Sequence, residues 1–284
     1  MLKLIQKEGD GLEVVYGGLT MSNLLINGEK RTDPIKINAK WLIQNRGAFC
    51  FNYDFRKYML NFDFSELDKT VIYITDPPYN QKYHYNEYDD DLEQDEYIEL
   101  LGQIPSPRVI IHYPEETINI LPKSYKGELV EDVITWVYNG NQWKHSRSIS
   151  FWGVKPDYRF NRQPYKNFND KRIKERIKNG LVDCRGYDWF EQSQVKNNSA
   201  EKTDHPCQIP VKVFDKIIKM IVKEEPEKYL IIDPFCGSGS CGVASLMNKV
   251  DFIGFDINYE YTKISNKRFD DIKFQTNLEG CFLW

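Results

Sequence analysis

Seven short apolar runs punctuate the 284-residue chain: AFCFN (48–52), VIYIT (71–75), RVIIHY (108–113), DVITWVY (132–138), SISFWGV (148–154), YLIID (229–233) and DFIGF (251–255). Most are continuous rather than alternating, which is the pattern of strands buried on both faces. Helical periodicity falls between and after them. In IPVKVFDKIIKMIVKE (209–224), Pro210 suits a first turn, and Val213, Phe214, Ile217, Ile218 and Ile221 share one face. Further helices are predicted from Gly239 to about Asn248 and through YEYTKISNKRF (259–269). Strands alternating with helices imply an α/β fold around a largely parallel sheet.

The same pattern divides the chain. Residues 1–44 read as an N-terminal extension, 45–154 and 204–274 as two halves of one sheet domain, and 275–284 as a tail. Between the halves, residues 155–203 are rich in Asn, Lys, Arg and aromatics and read as a loop-rich insertion. Phe151 and Trp152, inside a predicted strand, are expected in the core.

Composition adds a compartment. Charged residues make up 28% and mean hydropathy is -0.59, values of a soluble chain. No apolar run approaches the roughly 18 residues of a membrane span, and MLKLIQKEGDGLEVV lacks the apolar core of a secretory signal. The six cysteines form no CxxC and no Cys/His cluster of zinc spacing. Reduced thiols in a cytoplasmic protein, with no metal and no membrane, are therefore expected.

Charge changes the picture more. The net charge is -4, yet residues 144–178 carry eleven Lys and Arg against Asp157, Asp170 and Glu175, a local balance of +8. Such asymmetry marks an anion-facing surface on an otherwise acidic protein. A solvated helix face in KRIKERIKNG accounts for part of it.

Two stretches carry candidate chemistry. In YITDPPYN (73–80) a strand runs into Asp76, Pro77, Pro78 and Tyr79. Two prolines remove two backbone donors and fix φ, so the strand must stop and the turn must be stiff. Strand carboxyl ends are where open α/β sheets place their ligands. In DPFCGSGSCG (233–242), Gly237, Gly239 and Gly242 fit G-x-G-x-x-G between a strand and a helix. Asp256 ends the next strand, placed to accept from ribose hydroxyls. A nucleoside cofactor follows. Hydride-transfer enzymes place this unit early, whereas here only 28 residues follow Asp256.

Asp76-Pro-Pro-Tyr resembles the catalytic motif of amino-methyltransferases, and Asp233-Pro-Phe-Cys-Gly-Ser-Gly resembles their loop for S-adenosyl-L-methionine (AdoMet). His205-Pro-Cys-Gln-Ile-Pro is similar to their HPxQKP element, with Ile209 where a lysine is common. Catalytic motif first, recognition region next and AdoMet loop last is the circularly permuted arrangement of the β-class DNA amino-methyltransferases of restriction–modification systems. The resemblance covers residues 45 to 270. It implies a Rossmann-like AdoMet-dependent methyltransferase fold, a mostly parallel sheet with one antiparallel strand, and a target-recognition insertion. It further implies AdoMet contacts from Thr75, Asp76, His205, Gln208, Asp233, Pro234, Phe235, Gly237, Ser238, Gly239, Asp256 and Ile257. FNYDFRKYM (51–59) looks like the adenine-pocket segment, with Asp54 accepting from the amino group and Phe55 covering the ring.

The implied reaction is transfer of the AdoMet methyl group to N6 of an adenine in double-stranded DNA. An aspartate heads the PPY motif where cytosine-amino enzymes more often carry serine. N4-cytosine transfer, an RNA or nucleotide amino-methyltransferase, and a nucleic-acid-binding protein with a vestigial site are the rival readings. Asp76 and the Pro77 carbonyl would accept the two amino N–H bonds, and Pro78 would stiffen the turn. The ring of Tyr79 would stack on a base flipped out of the duplex. Lys144, Arg147, Arg159, Arg162, Lys166, Lys171 and Arg172 would contact DNA. A cognate restriction endonuclease and a homodimer are the further partners such an enzyme implies. Pro206-Cys207-Gln208 echoes the nucleophile of carbon-5 cytosine enzymes, but their ENV motif is absent, so Cys207 reads as structural.

Overall fold

The computed structural model describes residues 47–58, 68–85, 88–138, 144–164, 167, 169–180 and 184–281, with the backbone of 2–7, 11–16 and 19–20. For 57–58, 84–85, 88, 162–164, 184–185 and 273–281 the backbone alone is described.

Eight strands form the central sheet: β1 (Ala48–Asn52), β2 (Thr70–Thr75), β3 (Arg108–His112), β4 (Val130–Val137), β5 (Ser146–Trp152), β6 (Trp189–Glu191), β7 (Tyr229–Asp233) and β8 (Asp251–Asp256). Their spatial order is β6-β4-β5-β3-β2-β7-β8-β1. Strand β5 runs antiparallel to β3 and β4, and every other pairing is parallel. All seven strands expected from the apolar runs are present. The mostly parallel sheet with one antiparallel strand is the expected architecture.

The continuous apolar runs are explained by burial on both sides. Ile72 and Ile74 of β2 face one core with Val109, Ile111, Ile149 and Phe151, while Tyr73 faces the other with Ile110, Ile232 and Ile253. Helices cover each side. On the first lie α3 (Val211–Ile221), α4 (Ser240–Met247) and α5 (Tyr259–Cys281), and on the second lies α1 (Gln94–Gly102). Helix α1 falls in a stretch whose acidic run masks Tyr97, Leu100 and Leu101, all buried.

The segment 155–203 is more ordered than its composition suggests. It holds α2 (Lys171–Lys178), a short ribbon pairing Arg162–Pro164 with Cys184–Gly186, and β6, which extends the main sheet beside β4. Strand β6 is only three residues long, too short for periodicity to reveal. Within the N-terminal extension, Leu2–Lys7, Gly11–Tyr16 and Leu19–Thr20 pair as a separate antiparallel sheet. Among the described residues no helix is long and apolar enough to cross a membrane.

Gly242 shows how tightly α4 sits on the sheet. A Cβ there would stand 2.4 Å from the Phe269 ring and 2.8 Å from Phe252. Gly242→Ala is therefore expected to lower unfolding free energy by about 1–3 kcal/mol through overpacking. Chemical denaturation should show Phe269→Leu partly relieving that loss in the double variant. Additive losses would show that the ring is not the obstacle.

Candidate active site

The carboxyl ends of β1, β2, β7 and β8 lie along one edge of the sheet and open on a cavity of about 450 Å³. Asp76, Pro77, Pro78 and Tyr79 enter it from β2, Asp233 to Ser238 from β7, and Asp256 and Ile257 from β8. Asp54 and Phe55 follow β1, and His205 and Gln208 close another wall. The sequence motifs thus converge although 180 residues separate Asp76 from Asp256.

The glycine turn is built by backbone capture. Gly237 has φ +51° and Gly239 φ +77°, the left-handed region that glycine enters without penalty. The Gly237 amide donates to Asp256 Oδ2 at 2.8 Å, and Asn258 N donates to Oδ1 at 2.8 Å. Asp256 therefore fixes the turn as well as facing the cavity. A Cβ at Gly237 would lie 2.9 Å from His205 Nε2, so the backbone of the turn comes up directly against the His205 ring. The His205 ring packs edge-on against Tyr261, 4.4 Å between centroids, and burial pushes its pKa down to about 4, so it stays neutral.

Several expected contacts have other work in the structure. Thr75 does not line the cavity; its hydroxyl donates to Asp233 Oδ1 at 2.6 Å, behind the wall. Gly239 is likewise absent from the lining, because it packs on Ser265 and Phe269 of α5. Gln208 lines the cavity but spends its amide on its own loop, accepting from Thr203 N at 2.9 Å and donating to Glu201 O at 2.7 Å. Asp54 is gripped by Arg56, with Nε and Nη2 within 3.0 Å of its oxygens. Phe55 packs edge-on against Phe235 at 5.0 Å. Ile209 packs against the main core, which suits its departure from lysine. Cys207 is exposed at the cavity wall.

At the Asp76–Tyr79 turn the neighbours distinguish the groups. Pro78 O accepts from the Tyr97 hydroxyl at 2.7 Å, while no hydrogen bond among the described residues ends on the Pro77 carbonyl. Tyr97 is directed in turn. The Tyr113 amide donates to His112 Nδ1 at 2.8 Å, so His112 carries its proton on Nε2, 2.7 Å from the Tyr97 oxygen. Burial and the Arg147 charge push His112 down to about 3, keeping that tautomer neutral. The result is a one-way relay: Tyr113 N–H to His112, His112 to Tyr97, Tyr97 to Pro78.

Tyr79 is more than a ring. It stacks on His112 with centroids 4.5 Å apart, and its hydroxyl donates to Asp76 Oδ1. Burial pushes Asp76 up to about 7 against the lowering effects of that hydrogen bond and of Arg147. Asp233 also rises to about 7, through burial first.

The basic residues divide. Lys171 and Arg172 are exposed on α2, and Arg172 forks onto Asp170 as exposed Arg159 does onto Asp157. Lys144 pairs with Glu115 at 2.5 Å and lies 4.0 Å over Tyr113. The side chain of Arg162 and the whole of Lys166 lie outside the described residues. Arg147 departs from the expected exposed surface: it is buried in the cavity wall, stacked on tyrosine rings. Strand β5 turns it inward, which a count of charges cannot reveal. Tyr97, Tyr113 and His112 were equally beyond the motifs.

Similarity to known proteins places this architecture. A family model described as DNA methylase, of N6/N4 type, matches residues 71–267. The chain belongs to the N6/N4 DNA methylase family. It is 26% identical over 230 residues to the type II methyltransferase M.HpaI of Haemophilus parainfluenzae, covering 75% of this chain and 71% of that protein. It is 25% identical over 142 residues to the DNA adenine methyltransferase YhdJ of Escherichia coli (strain K12), covering 50% and 42%. In fold it resembles the cytosine-N4-specific PvuII DNA methyltransferase, with TM-score 0.55 and 15% identity over 81% of this chain and 92% of that one. It also resembles M1.HpyAVI, solved as a SAM complex, with TM-score 0.52 and 23% identity over 78% and 98%.

Tyr97→Phe keeps the ring in the core but strands a buried histidine N–H and a proline carbonyl. Each unsatisfied group costs about 1–3 kcal/mol. Urea denaturation should show a loss of about 2–6 kcal/mol for the two groups together. An unchanged midpoint would mean that other donors take over the relay.

Proposed function

We propose that the protein transfers the methyl group of AdoMet to the N6 amino nitrogen of an adenine flipped out of duplex DNA. One observation carries the reading: Asp76 and the uncommitted Pro77 carbonyl stand together at a cavity shared with the glycine turn. That cavity fits the cofactor. Phe55 and Phe235 offer an apolar edge, Asp256 a carboxylate for ribose hydroxyls, and Gly237 a close backbone approach without a Cβ. Bound there, AdoMet supplies an electrophilic methyl group on a sulfonium.

The chain's own residues then prepare the nucleophile. An exocyclic amino nitrogen is weak because its lone pair is delocalised into the ring. Two acceptors on its N–H bonds draw it toward tetrahedral geometry and localise the pair. Asp76 is one acceptor and Pro77 O the other, with its direction fixed beforehand by the proline pair and by Tyr97 on Pro78. Tyr79, backed by His112, offers the base an aromatic surface. Adenine follows from the aspartate at the head of the motif. The type II methyltransferases among its relatives support a place beside a cognate restriction endonuclease, and a cytoplasmic one.

The test is to incubate duplex DNA with the purified protein and AdoMet, then to identify methylated nucleosides by mass spectrometry. N6-methyladenine is expected. N4-methylcytosine would overturn the choice of base, and no methylated base would overturn the DNA substrate. At saturating AdoMet, Asp76→Ala should slow single-turnover transfer by about 100- to 1,000-fold, by analogy with loss of one preorganised transition-state group.

DNA seating is tested separately. Lys171, Arg172 and Lys174 are exposed on α2, and neutralising them should lower the log–log salt slope of DNA binding by roughly 0.9 for each lost phosphate contact. An unchanged slope would assign α2 to solvent alone.

A further inference from the structure

Arg147 is the buried cation of the catalytic wall. It stands at the start of β5, 8% exposed, and forms no ion pair with a described carboxylate. Its guanidinium carbon lies 3.8 Å from the Tyr113 ring centroid, 5.2 Å from that of Tyr138 and 5.3 Å from that of Tyr79. Nη2 donates to the Tyr113 hydroxyl at 3.1 Å, Nη1 donates to the Tyr138 hydroxyl and to Ser146 O, and Nε meets no described acceptor. Burying a guanidinium among neutral rings is expensive unless a negative charge answers it. Asp76 can answer it only through Tyr79, whose hydroxyl donates to Asp76 Oδ1 and whose ring centroid lies 5.3 Å from the guanidinium carbon.

We propose that Arg147 is a positioning residue of the methyl-transfer step, holding Asp76 in its ionised, acceptor-only form across the Tyr79 ring. The proposal rests on Asp76 being the amino-group acceptor. A protonated Asp76 would offer a hydroxyl where the amine needs a lone pair, so its ionisation is a condition of the chemistry.

The other groups around Asp76 do not supply that help. From β7, the carboxyl of Asp233 opposes a second negative charge, and Asp256 at the end of β8 raises Asp233 in its turn. From β3, His112 is neutral, and Tyr113 meets Arg147 through its hydroxyl. At the rim, Lys144 is engaged by Glu115, with Glu116 beside it. The Tyr79 hydroxyl and the Arg147 charge are the two influences that lower Asp76 against its burial. Arg147 therefore belongs to the acceptor and not to the phosphate-tracking surface.

The sign is fixed. Asp76 is raised to about 7, so the acceptor form is lost as pH falls through that value. Removing the cation raises the value further, by about one pH unit or more for a lost opposite charge.

The experiment is single-turnover methylation at saturating AdoMet and duplex DNA, from roughly pH 5.5 to 9.5. Wild type, Arg147→Met, Arg147→Lys and Asp76→Asn are compared. Calorimetric AdoMet binding confirms that each is folded. Arg147→Met should move the acid limb up by about one unit, running about tenfold slower at low pH and converging with wild type at high pH. Arg147→Lys should restore part of the shift, and the salt slope of DNA binding should stay in place. A uniform loss at all pH values would overturn the proposal in favour of plain packing, and a slope lower by about 0.9 would make Arg147 a phosphate contact. Asp76→Asn separates the two readings. A limb that persists in Asp76→Asn removes Asp76 as the titrating acceptor. A limb abolished there but unmoved in Arg147→Met removes Arg147 alone.

Discussion

The buried hydrogen bond from Thr75 to Asp233, 2.6 Å long, joins residues 158 positions apart in sequence. It ties the end of the catalytic strand to the end of the cofactor strand, which pair in parallel from Tyr229 to Ile232. Parallel pairing brings both carboxyl ends to one edge, and the hydroxyl then locks their final residues together. Asp76 and Asp233, one position past the bond and at it, are thereby forced into one low-dielectric region. Tyr79 and Arg147 favour charge on Asp76, and Thr75 with Phe235 N favours it on Asp233. The Tyr79 hydroxyl on Asp76 and the Thr75 hydroxyl on Asp233 are how the fold holds both carboxyls there.

Much of the fold was legible because burial on both faces writes a strong signal. Runs such as VIYIT and YLIID leave no polar face, so their strand character survives without alternation. Helix α3 was equally plain, since seven of its residues are buried. Helix α1 was not, because Asp95, Glu96 and Glu99 interrupt the eye between Tyr97, Leu100 and Leu101. Its apolar positions at i, i+3 and i+4 were nonetheless present and could have been read.

The site was legible only where chemistry demands a fixed residue order. Asp-Pro-Pro-Tyr and the glycine turn announce themselves because backbone stiffness and backbone access require those residues. What surrounds them is free to come from anywhere. Tyr97 reaches Pro78 from a helix, His112 from the end of β3 and Arg147 from an antiparallel strand, and none carries a local mark of its task. Charge counting failed at Arg147 for the same reason. A cation in a basic stretch is read as surface until the direction of its strand is known. Gly239 and Thr75 differ in the opposite sense: their side of the turn faces the protein and not the cavity.

The sheet order also governs how the molecule comes together. Strands β1 and β2 are synthesised early, yet they never touch, because β7 and β8 lie between them. The middle of this half of the sheet is its last-made part. Gly47 N waits for Asp251 Oδ1 and Cys50 N for Asn266 Oδ1, across more than two hundred residues. Non-local closure of this kind slows folding, since loop entropy is lost before the contacts reward it. On the ribosome, where N-terminal segments emerge first, the catalytic strand leaves the tunnel with one edge unpaired. It can form a wall of the cavity only once the glycine-turn strand, made more than 150 residues later, pairs beside it.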